Sequence, residues 1–307
     1  MANDSRSPDD VALAAQLAAL LEVAAEKPGN VTPRHAFADT RLTDFLASAA
    51  AIGPAMRAAG SQPVGATILQ AIRATRRVTR ANTNLGIVLL FAPMARAAGL
   101  MEAPPGLLRA ALRSVLRALT VEDAAQAYEA IRLAGPGGLG AVAEEDVRAA
   151  PTVTLRAAMG LAAAWDAVAR EYVTDYAITF EIGVPALQAA LDAGLAIEAA
   201  VVTVFLTILG QVPDTLIARK LGWAAAEAIS ARARELVPVP ATLASATAHE
   251  ALAAFDSELR DDYNRRNPGT TADLTAATLF AALLIDGPEA VVGAAGSRLD
   301  SRELPCR

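Results

Sequence analysis

The 307-residue sequence has few of the residue types from which many active sites are built. It contains one cysteine, Cys306, and two histidines, so an internal disulfide and a cysteine-based zinc site are excluded and no catalytic triad is visible. Aromatic residues make up only 4% of the chain. Because aromatic and β-branched residues favour strands, their scarcity argues against a core built from sheets.

Basic patches and targeting segments are also missing. The net charge is −6, and Lys and Arg are scattered along the chain, so no basic face is available for nucleic acid. The first residues have neither the basic start nor the apolar run of a secretory signal. We therefore expect a cytoplasmic protein with no nucleic-acid or membrane partner, and homo-oligomerisation is left open.

The chain is instead rich in alanine, the strongest helix former, and 54% of its residues are hydrophobic. This composition predicts an all-α protein with one large, bundle-like domain over residues 1–307, in which 1–8 are disordered and the tail from about 296 to 307 is flexible. The apolar stretches 193–210 and 272–285 are predicted to be buried helices. The first contains Glu198, and the second is shorter than the roughly 20 residues that a membrane span needs.

Apolar periodicity, interrupted by proline and glycine, predicts where the helices lie. The predicted ranges are 9–25, 39 or 40 to 59, 64–77, 84–98 with a bend or break near Pro93, 106–118, 121–133, 152–181, 186–210, 214–236, 240–262 and 271–285. The glycine-rich segment Gly135–Gly140 is predicted to be a loop. Glu171 and Asp175 share one helix face, which is predicted to be solvated; a metal-binding face is the alternative.

Polar islands between the helices are the candidate site. Lys27, Pro28, Gly29 and Asn30 combine a cation with a turn, which suits either a helix end or a phosphate-binding corner. Asp39 is either the N-cap of the next helix or a ligand for magnesium or a ribose hydroxyl.

Another polar island, Asn82, Thr83 and Asn84, immediately precedes a very apolar helix. Capping alone needs only one such residue, so a binding role for the remaining side chains is an equal alternative.

Two later islands offer further carboxylates and cations. Asp214 precedes a helix that carries Arg219 and Lys220, which suits equally an N-cap followed by a solvated basic pair or a functional site. Asp273 follows Thr270 by three residues, which predicts a capping-box pair at the start of the last long helix; metal or hydroxyl binding is the alternative.

Taken in this order, the islands resemble the triphosphoribosyl-dephospho-CoA synthase family, from about Leu20 to Leu284. The family opens with a Glu followed by PKPGLVD; here Glu22 and Lys27-Pro28-Gly29 keep that pattern. The family motif NTHKG corresponds to Asn82–Gly86, with Asn and Leu in place of His and Lys. The motif PGGSADLLA corresponds to Pro268–Ala276, including Asp273, and an earlier Asp before a basic residue corresponds to Asp214.

The resemblance implies an all-α, ATP-using transferase that joins ATP to 3′-dephospho-CoA and releases adenine. It implies catalytic roles for four carboxylates, with magnesium as cofactor bound by the last three: Glu22, Asp39, Asp214 and Asp273. It implies nucleotide or phosphate binding by eight residues: Lys27, Gly29, Asn30, Asn82, Thr83, Asn84, Arg219 and Lys220.

Two alternatives follow from the departures from the family pattern. Phe37 stands where the family has a His, and Asn84 and Leu85 replace His and Lys. The first alternative is an ATP-using transferase or ligase that makes a one-carbon carrier of the tetrahydromethanopterin or methanofuran type. The second is a helical scaffold with no enzymatic activity.

Overall fold

The computed structural model describes residues 6–100, 107–135, 144–237, 246–261 and 263–293. Within these ranges the only regular secondary structure is helical, which confirms the predicted all-α class. The α-helices are α1 (Pro8–Ala24), α2 (Leu42–Ala51), α3 (Gly53–Ala58), α4 (Val64–Val78), α5 (Leu85–Leu100), α6 (Leu108–Arg117), α7 (Val121–Ala134), α8 (Leu155–Ala162), α9 (Ala167–Thr174), α10 (Val184–Asp192), α11 (Ile197–Gln211), α12 (Thr215–Leu221), α13 (Trp223–Leu236), α14 (Ala246–Leu259), α15 (Gly269–Asp286) and α16 (Pro288–Val292). A π-helical segment, Ile178–Gly183, precedes α10.

Side-chain caps set several helix starts. Ser7 and Asp10 form a reciprocal capping box at α1, and Thr120 and Asp123 form another at α7. Arg6 donates hydrogen bonds to the carbonyl oxygens of Leu284 (2.8 Å) and Ile285 (3.0 Å). Residues 6–8 are therefore anchored to the end of α15, which corrects the expectation that they are disordered.

Helix α15 forms the centre of the core, and nearly all of its residues from Leu274 to Leu284 are buried. Helices α1, α5 and α11 pack against it. Phe280 of α15 and Phe91 of α5 have ring centroids 4.4 Å apart. The two apolar stretches predicted as buried helices are thus confirmed as α11 and α15.

Helix α5 continues through Pro93, where the sequence predicted a bend or break. A proline has no N–H, so the carbonyl of Leu89, four residues earlier, loses its helical partner. The buried hydroxyl of Tyr172 donates to that carbonyl oxygen at 2.6 Å, and the hydroxyl of Tyr176 donates to the oxygen of Leu90 at 2.9 Å. The Tyr172 bond supplies the donor that the proline lacks and lets the helix run on, while the Tyr176 bond adds a second donor beside it.

Several predicted helix bounds need correction. The helix predicted from Asp39 begins at Leu42, because Asp44, not Asp39, accepts the N–H of Arg41 at its start. The helix predicted over 152–181 is divided into α8, α9 and the π-helical segment. Glu171 is completely buried, not solvated, because it accepts hydrogen bonds from the N–H groups of Ile178 and Thr179 (3.0 and 2.8 Å) and from the Thr179 hydroxyl (2.6 Å).

Of the loop predicted at Gly135–Gly140, only Gly135 belongs to the described residues, where it ends α7 in the left-handed conformation. The tail 296–307 lies outside them. No single described helix is both long and apolar enough to cross a membrane; α11 and α12 meet that condition only as a pair, across a 53° bend.

Candidate functional site

The starts of α9, α12 and α15 meet through a chain of buried hydroxyl groups. The N–H of Ala167 in α9 donates to the Thr215 hydroxyl at 3.2 Å, and that hydroxyl donates to the hydroxyl of Thr270 at 3.2 Å. The start of α9 is separated from that of α12, and the start of α12 from that of α15, by about 50 residues of sequence. The N–H groups at these helix starts, which favour anions, bind the protein's own carboxylates, Asp166 at α9 and Asp214 at α12 and α15.

Asp214 ties α12 to α15. Its Oδ1 accepts the N–H groups of Leu216 (2.9 Å) and Ile217 (3.1 Å), so the predicted N-cap of α12 is confirmed. Its Oδ2 accepts the N–H and the hydroxyl of Thr271 at 2.7 and 2.8 Å. Burial raises the pKa of this carboxyl, while the four donors act in the opposite direction. With both oxygens occupied in this way, Asp214 is suited to positioning α15.

Asp273 caps a different helix from the one that the sequence predicted. Helix α15 begins at Gly269 without a side-chain cap, and Asp273 accepts the N–H of Ile87 at the start of α5. The contact is close, because a Cβ on Gly86 would lie only 2.0 Å from Oδ2 of Asp273. Position 86 therefore has to be glycine for this carboxylate to reach the helix start.

Four carboxylates influence one another at this place. Burial raises the pKa of Asp273 well above its usual value, and the charges of Glu22, Asp214 and Asp166 raise it further. Asp273 is partly exposed, whereas Glu22 and Asp214 are buried. A cation or a centre of developing positive charge next to Asp273 would relieve this repulsion.

Lys27 is the internal partner of Glu22. Its Nζ lies 3.1 Å from Oε1 of Glu22 and donates to the carbonyl oxygens of Ala25 (3.2 Å) and Glu22. Its side chain has no exposed surface, and burial raises the pKa of Glu22 against the effect of this lysine. Lys27, predicted to bind phosphate, is thus saturated by protein oxygens and stabilises the end of α1.

The cations Arg219 and Lys220 border the cluster on its exposed side. Arg219 Nη1 lies 3.1 Å from Oδ2 of Asp166, the N-cap of α9, and about a third of the arginine side chain is exposed. Lys220 donates to the carbonyl oxygen of Asn264 at 3.0 Å. Desolvation lowers the pKa of Lys220, and Asp214 and Asp39 are among the charges that oppose this change. Asp39 itself is exposed and accepts the hydroxyl of Thr40 at 3.1 Å.

The turn that follows Lys27 packs beside the segment leading into α15. The Gly29 N–H donates to Asp256 at 2.8 Å, and its left-handed φ of +77° requires glycine. The carbonyl oxygen of Asn30 accepts Arg260 at 3.0 Å, and its amide donates to the oxygen of Pro28 at 3.3 Å. A Cβ on Gly29 would meet Pro268 at 3.0 Å, so these two islands adjoin.

The island before α5 is mostly occupied by internal bonds. Asn82 is exposed and accepts the N–H of Leu85 at 3.3 Å, while Thr83 shares a 2.6 Å hydrogen bond with Ser48. Asn84 is buried and donates to Thr75 at 3.0 Å, and its Oδ1 has no partner.

The magnesium prediction receives no direct support from the geometry. Among the residues that the structure describes, no three His, Cys, Asp or Glu side chains form a group that could hold a metal ion. A cavity of about 300 Å³ lies between α10, α15 and α16, near Asp192 and Asp286. It is at the opposite end of α15 from Asp273, and none of the predicted site residues lines it.

Comparison with known proteins identifies the family. The CitG family, described as ATP:dephospho-CoA triphosphoribosyl transferase, matches residues 8–291. The chain belongs to the CitG family. A crystal structure of a proposed triphosphoribosyl-dephospho-CoA synthase from Archaeoglobus fulgidus is similar, with 28% identity and a TM-score of 0.60, over 78% of this chain and 98% of that one. No curated protein matches the chain.

CitG membership makes the chain a transferase, as predicted from its sequence, and argues against the scaffold hypothesis. The matched range includes all four carboxylates that interact at Asp273, from Glu22 to Asp273 itself. Sequence reasoning missed Asp166, Thr215 and Thr271 as members of the site. Their positions in the sequence could have indicated them, because each of these residues lies at a helix start next to a polar island or a turn.

Proposed function

We propose that this CitG protein transfers the triphosphoribosyl group of ATP to 3′-dephospho-CoA and releases adenine. The observation that carries the proposal is the position of Asp273. Asp273 is a partly exposed residue whose carboxylate lies at the start of α5, within the electrostatic reach of Glu22, Asp214 and Asp166. This place combines several carboxylates with the starts of two long helices, α5 and α15.

The chemistry calls for negative charge beside the sugar. The bond between ribose C1′ and adenine breaks, its electron pair leaves with adenine, and positive charge develops at C1′. The acceptor group of dephospho-CoA then bonds to C1′ and gives up its proton, while adenine takes one up. We assign Asp273 to the stabilisation of C1′, and Glu22 and Asp214 to the positioning and charge of Asp273.

The triphosphate requires positive charge. Arg219 and Lys220 are the cations on the exposed side of the cluster, and the dipoles of α5 and α15 favour negative charge at their starts. We propose that magnesium arrives with the ATP phosphates, since magnesium is commonly held by one or two carboxylates together with substrate phosphates. Asp273 and Asp39 are the candidate carboxylates, because the donors around Asp214 leave no free lone pair. ATP supply makes the cytoplasm the compartment that we propose.

The test is adenine release from ATP and 3′-dephospho-CoA, followed by chromatography. Asp273→Asn keeps the size of the side chain but removes its charge, so we expect kcat to fall roughly 100-fold or more. Asp286→Asn, at the other end of α15, is the matched control and should retain activity. If the unchanged protein releases no adenine while a known family member does so in the same assay, the substrate pair is wrong.

One observation favours the one-carbon-carrier alternative. The buried residues Asn84 and Leu85 occupy the start of α5, so this place offers neither the imidazole nor the ammonium of the family motif. If ADP, AMP or pyrophosphate appears in place of adenine when pterin or furan precursors are supplied, the chemistry is that of this alternative.

A further inference from the structure

Both tryptophans of the chain are exposed, and each lies within four residues of a partner in one ion pair. The sequence contains only Trp165 and Trp223, with 46% and 42% of their surfaces accessible. Trp165 directly precedes Asp166, and Trp223 follows Arg219 by four residues. Asp166 and Arg219 are in contact at 3.1 Å, so the two distant segments that carry the tryptophans meet at this ion pair, at the edge of the site.

This exposure is unusual for the residue type. Tryptophan is highly buried on average, and the core of this protein excludes both copies although it contains tyrosine and phenylalanine. A third exposed aromatic residue, Tyr263, is 76% accessible and precedes Asn264, whose carbonyl oxygen holds Lys220. Segments that carry exposed aromatic residues and two cations therefore meet beside the carboxylate cluster.

We propose that Trp165 and Trp223 form a stacking platform for an adenine ring. The argument rests on the proposed function, in which both substrates, ATP and 3′-dephospho-CoA, carry adenine. Aromatic side chains stack on the faces of bases, and a neighbouring guanidinium such as that of Arg219 adds a cation for the attached phosphates. The platform lies next to Asp166, which acts electrostatically on Asp273, so a base bound there would direct its ribose and phosphates towards the carboxylates.

The chain provides its own reporter, because all tryptophan fluorescence comes from these two positions. We expect ATP, 3′-dephospho-CoA or both to quench the emission of the unchanged protein, and tripolyphosphate, which lacks a base, to leave it unaltered. Trp165→Phe and Trp223→Phe each leave one reporter and keep an aromatic face. The substrate that quenches each remaining tryptophan identifies which adenine stacks on it.

Kinetics provide the second measurement. Trp165→Ala and Trp223→Ala should raise the KM of the stacked substrate about 5- to 100-fold, and the Phe variants should recover most of the loss. Leu13→Ala, which truncates a similarly exposed residue (47%) away from the site, is the matched control and should not change KM. Because all three positions are exposed, the melting temperatures should remain close to that of the unchanged protein.

Three results would overturn the proposal: no quenching by either substrate while adenine is still released, equal quenching by tripolyphosphate, or Ala variants whose KM values stay within about twofold. An emission change that depends on protein concentration without nucleotide would assign the indoles to a contact between copies of the chain. Quenching by ATP without any adenine release would instead support the platform and refute the transfer reaction.

Discussion

The hydroxyl of Tyr172 should matter only because position 93 is a proline. Tyr172→Phe removes the 2.6 Å hydrogen bond to the buried carbonyl oxygen of Leu89, whose helical partner would be the missing N–H of Pro93. A buried acceptor left without a donor costs about 1–3 kcal/mol. We therefore expect the free energy of unfolding to fall by that amount.

A double-mutant cycle isolates this effect. In a Pro93→Ala background the N–H of residue 93 can donate to the Leu89 oxygen, so Tyr172→Phe should cost about 1–2 kcal/mol less than it does beside proline. Tyr176→Phe is the matched control. Its acceptor, the oxygen of Leu90, stands four residues before Met94, which has an N–H, and the cost of this change should not depend on residue 93.

Urea or guanidinium unfolding, followed by circular dichroism, measures all the variants under one set of conditions. The reasoning is refuted if Tyr172→Phe costs the same in both backgrounds, within the roughly 0.5 kcal/mol to which independent sites add. It is also refuted if Tyr176→Phe shows the same dependence on residue 93, because the proline would then act on the whole helix and not on one carbonyl.

Three further predictions use the same kinds of measurement. Gly86→Ala should displace the Asp273 carboxylate, since the new Cβ would lie 2.0 Å from it, and should lower kcat/KM at least tenfold. In the control Gly160→Ala the new Cβ makes only an ordinary 3.6 Å contact, so kcat/KM should not change. Equal activities of the two variants would contradict the assigned site. Glu171→Ala should lower the free energy of unfolding by about 3 kcal/mol or more, because it leaves three buried donors unpaired. A loss below about 1 kcal/mol in denaturant unfolding would show that these donors find other partners. Burial raises the pKa of Tyr172 and Tyr176, so above pH 10 only the unfolded chain ionises them. The free energy of unfolding should therefore fall there by about 1.4 kcal/mol per pH unit for each tyrosine. Tyr172→Phe should reduce this slope, and a flat profile from pH 9 to 11 would refute the assignment.

The predicted elements were most accurate where local chemistry decides them. Helix α7 was predicted as 121–133 and observed as Val121–Ala134, because a capping box starts it and a glycine ends it. The predicted N-cap Asp214 was confirmed for the same reason. The family was also recognisable from short motifs in order along the chain, which the match over residues 8–291 confirms.

The partners of individual polar side chains could not be predicted, because folding decides which donors and acceptors each side chain meets. Asp273 caps α5 and not its own helix, and Glu171 is buried because the chain turns back over it through two left-handed residues, Asp175 and Tyr176. Lys27 fills its bonds within its own turn, which no pattern of charges reveals. Solvent exposure is a property of packing, and a single sequence gives only the average for each residue type.

Alanine content, capping residues and proline breaks were therefore enough to determine an all-α chain and several of the places where its helices begin, because these depend on interactions within a few residues. Which helix starts meet was decided only by the tertiary structure. The contact of Asp273 with the start of α5 and that of Thr271 with Asp214 depend on how apolar helix faces pack, and packing joins segments whose separation in the chain carries no local signal. The carboxylate cluster is thus a consequence of the core around α15, and the chemistry proposed for it depends on that core.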